Sequence, residues 1–232
     1  MSTWKPSGPG IWTRIYDFGG NPLNTSAIDI GEGRLLVLSP GTGLEEADYA
    51  ALDAIGTVTA LLPPGPFHNM GLAAWKERYP NAELYGNDAC ITHIAKAHPA
   101  LVALKPLADL LPLLPEGFVI EDHGGMGKPD LFFALTRDGE TTWFTNELLT
   151  NNADWPAKFP FKVAFWVFNS GPGLNCNTLA LKLVKGNKAG ARSYLEGKLA
   201  QLPPTRLVPC HGLVMEAPDL ASTLGEVIAR RL

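Results

Sequence analysis

The side chains that could do chemistry in this sequence are a few histidines and one carboxylate. Three of the five histidines, His68, His123 and His211, directly follow predicted strands. Another strand is predicted at 141–145. Strand ends are where α/β proteins often place functional groups. Imidazole nitrogen is a ligand that Zn²⁺ and Fe²⁺ accept, so these histidines are candidate metal ligands.

Each of these residues also has a purely structural interpretation. His68 can form hydrogen bonds within a buried loop, and His211 can pack after its strand. His123 can belong to a glycine-rich turn, and Glu147 can be a carboxylate at a helix N-terminus or in a salt bridge. Asn69, next to His68, could bind an ion or a substrate through its amide, or cap the helix that follows. His93 on a predicted helix and His98 before a proline are expected to lie outside any site.

Composition narrows the class of protein. The chain has 232 residues, of which 46% are hydrophobic, and we predict one domain spanning 1–232. The net charge is −4 and no run of Lys or Arg occurs, so a nucleic-acid partner is not expected. The first residues lack the apolar stretch of a signal peptide, and no apolar run reaches membrane-spanning length. We therefore expect a cytoplasmic protein with no membrane partner. The three cysteines form no CxxC pair.

Apolar periodicity and turn residues predict an alternation of strands and helices. The pattern alone supports an α/β or α+β fold with a mixed sheet. The segment 101–115 is expected to form short helical turns because three prolines interrupt it. The aromatic segment 161–168 is either a lid or a helix packed on a sheet. The other strands are predicted at 10–16, 25–30, 34–39, 58–62, 81–85, 118–123, 130–136 and 205–209, and helices at 44–55, after Gly71, at 89–97, 193–202 and 218–232.

The loop 63–71, Pro-Pro-Gly-Pro-Phe-His-Asn-Met-Gly, follows one of these strands and precedes a helix that ends in Tyr-Pro. This order resembles the metallo-β-lactamase superfamily, whose loop reads Thr-His-x-His-x-Asp-His-x-Gly and holds metal ions. In this alignment Pro64 and Pro66 replace the two leading histidines. His68 stands at the position of the aspartate and Asn69 at that of the last histidine. Proline offers no side-chain donor, so the resemblance implies that the usual first metal site has lost two ligands.

Other segments extend the resemblance over residues 10 to 230. Phe-Thr-Asn-Glu, ending at Glu147, is similar to the family's Phe-Thr-Gly-Asp, whose aspartate bridges two metals. Pro-Cys-His-Gly, with His211, is similar to Pro-Gly-His-Gly, whose histidine is a ligand. His123 lies near the family's His-Thr-Pro-Gly segment, and Ser39 replaces an aspartate that supports the metal site. The resemblance implies an α/β (α+β) four-layer αββα sandwich of metallo-β-lactamase type.

The resemblance, together with these residues, implies a metal-dependent hydrolase of a small ester, amide or lactone with a rebuilt mononuclear site. His68, His123, Glu147 and His211 are the expected ligands of one Zn or Fe ion, and a water activated by that ion would attack the carbonyl. Asn69 and Glu147 are the expected catalytic residues. A true β-lactamase is not expected, because the family's ligand set is not intact.

Two alternatives remain open from the sequence. The prolines of the loop 63–71 also fit a catalytically inactive, metal-free module that binds a small ligand or assembles with a partner. Redox use of iron at the same site would need a flavin partner, which nothing in the chain supplies. A small molecule is the expected partner, and a homodimer is left open.

Overall fold

The chain divides into two compact units. The first comprises Met1–Asp17 with Asn24–Glu116, and the second Phe18–Leu23 with Gly117–Leu232. The computed structural model describes residues 4–18, 21–128, 130–156, 158–168 and 170–232, without the side chains of Phe18 and Phe161. The prediction of one domain over 1–232 stays a prediction.

A seven-stranded sheet in the order β1 to β7 is found in the described residues up to 116. Its second half is parallel, since β4 pairs with β5, β5 with β6 and β6 with β7 in parallel. The strands are β1 (Lys5–Pro6), β2 (Ile11–Phe18), β3 (Asn21–Asp29), β4 (Arg34–Leu38), β5 (Thr57–Leu62), β6 (Glu83–Gly86) and β7 (Lys105–Pro106). The helices are α1 (Glu46–Asp53), α2 (Leu72–Arg78), α3 (Asp88–Ala97) and α4 (Leu107–Leu110), and a 3₁₀ turn covers Leu111–Leu113.

The core of the first unit is built around Trp75, whose side chain is fully buried. Its ring meets the ring of Tyr49 edge to face, with centroids 5.8 Å apart. The continuous apolar run of β5 is buried at Leu61 and Leu62, as expected for a central parallel strand. The loop that follows β5 therefore starts from a fixed position.

The second unit contains a five-stranded sheet in the order β14-β13-β10-β9-β8 and a two-stranded ribbon, β11 with β12, among its described residues. Antiparallel pairing joins β8 to β9 and β9 to β10, whereas β10 and β13 are parallel. The strands are β8 (Phe118–Asp122), β9 (Leu131–Arg137), β10 (Glu140–Thr145), β11 (Leu149–Asn152), β12 (Gly173–Cys176), β13 (Arg206–Pro209) and β14 (Met215–Glu216). The helices are α5 (Phe159–Val167), α6 (Thr178–Leu183), α7 (Lys188–Gln201) and α8 (Leu220–Arg231).

The observed elements confirm the mixed α/β prediction and most of the predicted segments. The predicted hairpin turn between β9 and β10 is present, with Asp138 and Gly139 both at positive φ. The segment 161–168 is largely helical, within α5, and several of its apolar side chains face solvent. The prediction missed the β11–β12 ribbon and helix α6. None of the helices in the described part of the chain has the length and apolar character that crossing a bilayer requires.

Candidate metal centre

His68 lies in the loop between β5 and α2 of the first unit, and its side chain is buried. The preceding residues from Pro63 to Pro66 are buried as well. Nδ1 of His68 lies 3.5 Å from Oγ of Ser39, at the end of β4. Ser39 has a φ of +52°, a left-handed conformation that costs a non-glycine residue about 1–2 kcal/mol. The strained Ser39 is thus held next to the candidate ligand.

The Asn69 amide braces this loop through both of its ends. Nδ2 donates to the carbonyl of Pro66 at 2.6 Å, and Oδ1 lies 3.1 Å from Nε2 of His98. Helix α2 begins after Gly71 without a side-chain cap, so the capping role considered for Asn69 is not seen. His98 was expected to lie outside any site, yet it contacts a predicted catalytic residue. This arrangement favours a positioning role for Asn69.

The same loop approaches the turn 39–41 too closely for any side chain at Gly71. A Cβ atom there would lie 2.2 Å from the carbonyl oxygen of Gly41 and 2.3 Å from that of Pro40. The indole N–H of Trp75 donates to the Gly41 carbonyl at 2.8 Å. Glycine is therefore required at position 71, which explains why it is present although other loop residues differ from the family pattern.

Glu147 and His211 are brought together beyond the carboxyl ends of β10 and β13 in the second unit's sheet. The parallel register places Thr145, the last residue of β10, opposite Pro209, the last residue of β13. Two residues further along each strand, Glu147 Oε2 lies 3.5 Å from His211 Nε2. Both side chains remain partly accessible, at 18% and 26% of their full exposure. The pair is therefore fixed by strand pairing and reachable from solvent.

Backbone hydrogen bonds hold both residues of this pair. The amide of Cys210 donates to the carbonyl of Thr145 at 2.7 Å, and the amide of Asn151 donates to the carbonyl of His211 at 3.0 Å. Gly212 adopts a φ of +103°, and a Cβ atom there would lie 2.0 Å from the Asn151 carbonyl oxygen. Glycine is thus required at position 212 by the close approach of β11.

The spacing of the Glu147 and His211 donor atoms fits two ligands of one metal ion. Zn–N and Zn–O bonds of about 2.0–2.1 Å at a tetrahedral angle put two donors about 3.3 Å apart. The observed Oε2 to Nε2 distance is 3.5 Å. The chemistry of this donor pair therefore suits Zn²⁺ or Fe²⁺.

His123 has a different environment in the second unit. Its Nδ1 lies 2.8 Å from the carbonyl oxygen of Gly124, and its ring lies against Tyr194 with centroids 4.5 Å apart. Nε2 is buried and has no hydrogen-bond partner among the residues that the structure describes. Burial lowers the pKa of His123 from 6.5 to about 4, so the ring is neutral near pH 7. Among the described residues, His123 belongs to no group of three or more metal-ligating side chains.

Asn146 and Asp130 form a buried hydrogen bond next to the Glu147 turn. The Asn146 amide donates from Nδ2 to Oδ1 of Asp130 at 2.5 Å, and both side chains are buried. The carbonyl of Asp130 also accepts a hydrogen bond from the amide of His123 at 2.7 Å. Asp130 thus connects the ends of three neighbouring strands at the edge that carries Glu147.

Comparison with known proteins places this arrangement in a known fold. No protein-family model matches the sequence, and no curated protein matches it. The structure resembles that of the DIM-1 metallo-β-lactamase with a TM-score of 0.61 and 10% identity, over 98% of this chain and 96% of that one. The FIM-1 metallo-β-lactamase from Pseudomonas aeruginosa in its mono-zinc form gives 0.60 and 12%, over 98% and 95%. The chain has the metallo-β-lactamase fold. A metallo-β-lactamase from Erythrobacter litoralis matches at 0.59 and 13%, over 98% and 92%.

The metallo-β-lactamase fold confirms the resemblance and the fold class expected from the order of sequence segments. At 10–13% identity these matches establish the fold alone. Sequence reasoning missed two residues of this metallo-β-lactamase-fold chain, His98 and Asp130. No motif marks them, because their side chains bond to residues distant in sequence: Asp130 to Asn146, 16 positions away, and His98 to Asn69, 29 positions away.

Proposed function

We propose that this metallo-β-lactamase-fold protein is a metal-dependent hydrolase of a small ester, amide or lactone. His68, Glu147 and His211 would hold one ion, so the site would be mononuclear. The observation that carries the proposal is the Glu147–His211 pair, whose donor atoms lie 3.5 Å apart at a sheet edge. Zinc or iron is the expected ion, since two imidazoles and a carboxylate are ligands that both metals accept.

The three residues differ in what holds them in place. Glu147 and His211 would bind through Oε2 and Nε2, the two atoms that already face each other. His68 would bind through Nε2, because its Nδ1 faces Ser39. A hydrogen bond at the second ring nitrogen fixes the orientation of a ligating histidine. The bound ion would polarise the substrate carbonyl and lower the pKa of a water molecule.

Two predicted site residues take narrower roles in this proposal. Asn69 keeps the His68 loop in place, because Pro66 and His98 engage both ends of its amide. His123 is left out of the proposed three-residue set, because its ring is packed against Tyr194 and hydrogen-bonded to Gly124. The wider set with His123 as fourth ligand stays a prediction.

Composition carries the remaining parts of the proposal. The net charge of −4 and the absence of Lys/Arg runs favour a small-molecule substrate over nucleic acid. Cys90, Cys176 and Cys210 are buried thiols, which suits a reducing compartment such as the cytoplasm. A homodimer is left open, and measurement of the oligomeric state would test it.

Elemental analysis of protein purified without chelator or His-tag tests the proposal. We expect near-stoichiometric zinc or iron in the wild type and its loss in His211→Ala and Glu147→Gln. His93→Ala is the matched control, because His93 is exposed on α3. No bound metal after incubation with zinc, iron or manganese would refute the proposal and leave a metal-free binding module.

Two further measurements separate the parts of the proposal. His68→Ala should also lose the ion; retention of full occupancy would remove His68 from the ligand set while leaving the Glu147–His211 pair. Hydrolysis of a panel of simple esters, amides and lactones should depend on the metal content. A metal-loaded protein that hydrolyses none of them would confirm the site and refute the substrate class.

A further inference from the structure

The segment from residue 155 to residue 195 has an unusual charge pattern. It carries six Lys and Arg residues and contains no Asp or Glu, in a chain whose net charge is −4. Asp154 and Glu196 bound it on either side. Positive charge is therefore concentrated in one part of the second unit, which includes α5 and α6.

Helix α5 presents an apolar stripe to solvent. Phe159, Val163, Trp166 and Val167 follow the spacing i, i+4, i+7 and i+8, which places them on one face of a helix. Their exposed fractions are 76%, 43%, 70% and 61%. Lys162, at i+3, is also exposed and lies on the same face. A surface helix normally turns its apolar stripe to the core, so this helix has the opposite orientation.

Helix α6 continues this surface. The hydroxyl of Thr178 donates to the carbonyl of Phe168 at 2.6 Å, which connects the start of α6 to the end of α5. The Lys182 ammonium lies 4.8 Å from the centre of the Phe168 ring. Leu183 next to it is 71% exposed. We call the combined surface the aromatic–lysine face; it consists of Phe159, Lys162, Val163, Trp166, Val167, Lys182 and Leu183.

We infer that the aromatic–lysine face binds the surface of a bilayer that contains anionic phospholipid. Trp and Phe side chains partition into the boundary between headgroups and acyl chains, and lysines at the edge of such a face are attracted to anionic headgroups. Both properties are present on one face. The inference does not depend on the proposed metal site.

The charge of the aromatic–lysine face also favours an anionic bilayer over a second copy of the chain as its binding partner. In a two-fold dimer the same face meets itself, so the lysines of one copy would lie against the lysine-bearing face of the other. The segment 155–195 contains no Asp or Glu to offset this charge. An anionic lipid surface supplies the missing negative charge over the whole face. This peripheral binding differs from the sequence-based expectation of no membrane partner, which considered spanning segments only.

Co-sedimentation of the protein with vesicles tests this inference. Phosphatidylcholine vesicles are compared with vesicles of phosphatidylcholine and phosphatidylserine, at low and at high salt. We expect binding to the anionic vesicles, loss of most binding at high salt, and a blue shift of tryptophan fluorescence that Trp166→Ser removes. Equal binding to both vesicle types, or none to either, would overturn the inference.

Variants on exposed positions show which surface is responsible. Trp166→Ser should weaken binding by about tenfold, and the double variant Lys158→Ser/Lys162→Ser by about thirtyfold, since each lysine near an anionic surface contributes about 1 kcal/mol. Val102→Ser is the matched control, because Val102 is 61% exposed in the first unit. Thermal unfolding verifies that each variant is folded. Wild-type binding by both α5 variants would overturn the inference, as would a dimer in light scattering that Trp166→Ser dissociates.

Discussion

The two units hold their candidate ligands by different means. In the first unit His68 lies in a proline-rich loop. Side-chain contacts of Asn69, His98 and Ser39 hold this loop in place. In the second unit Glu147 and His211 follow paired strands, and the strand register determines their positions. A position set by backbone pairing can be inferred from a sequence, whereas a position set by a few side-chain contacts cannot.

The largest effect is expected from a side chain at Gly71. Gly71→Val places carbon atoms onto the carbonyls of Gly41 and Pro40, and backbone atoms cannot move aside as flexible side chains do. We expect a loss of about 3 kcal/mol in the free energy of unfolding, the upper end of overpacking costs. Urea denaturation measures it. Gly197→Ala is the control, because nothing lies within 4 Å of its Cβ position. Equal stability of the two variants would show that the loop is not tightly braced.

Acidification should destabilise the second unit through His123. Its pKa is about 4 in the folded protein because burial disfavours the charged ring, against 6.5 in the unfolded chain. Between these values the unfolded chain binds the proton and the folded protein does not. The free energy of unfolding is therefore highest above the unfolded pKa and decreases as the pH is lowered. We expect a loss of about 2 kcal/mol between about pH 7 and about pH 4.5.

Urea denaturation in the presence of a chelator measures this loss at each pH. His123→Gln removes the titrating ring, so its pH profile should be flatter than that of the wild type by this amount. His93→Gln, on an exposed position, should follow the wild type. Parallel wild-type and His123→Gln profiles would show that His123 is accessible to protons in the folded protein.

Substitution of Asp130 tests whether Glu147 in the second unit also depends on a side-chain hydrogen bond for its position. Asp130→Ala leaves the buried Asn146 amide without its acceptor, which costs about 1.5 kcal/mol, whereas Asp130→Asn retains an acceptor oxygen. We also expect weaker zinc binding in Asp130→Ala, because Asn146 precedes Glu147. Isothermal titration with zinc and urea denaturation measure the two effects. Unchanged zinc affinity would mean that the strand register alone positions the carboxylate.

The smallest effect is expected at Ser39. Ser39→Gly relieves the positive φ of +52° but removes the hydroxyl next to His68. These contributions oppose each other, so the free energy of unfolding should change by less than about 1 kcal/mol. Zinc affinity should fall nevertheless, because the His68 ring loses its neighbour. Ser39→Ala, which keeps the strain and removes the hydroxyl, separates the two contributions.

Sequence reasoning succeeded where local pattern and backbone geometry agree. The strands before Glu147 and His211 were predicted from apolar runs, and their parallel pairing explains the 3.5 Å contact. His123 shows the limit of the approach, because its position after β8 could be predicted but its packing on Tyr194 could not. That contact joins two residues that are 71 positions apart in the sequence, and Tyr194 lies on helix α7. Asn69 is similar, since its partner His98 carries no sequence signal.

The bridge between Leu23 and His211 has a consequence for biosynthesis. Every segment of the first unit has been translated once residue 116 is made, so that unit can begin to fold while the ribosome is still working. The second unit needs residues 18–23 together with the end of the chain. At roughly 5–20 residues per second, Leu23 is made on the order of ten seconds before His211, its partner in this bridge.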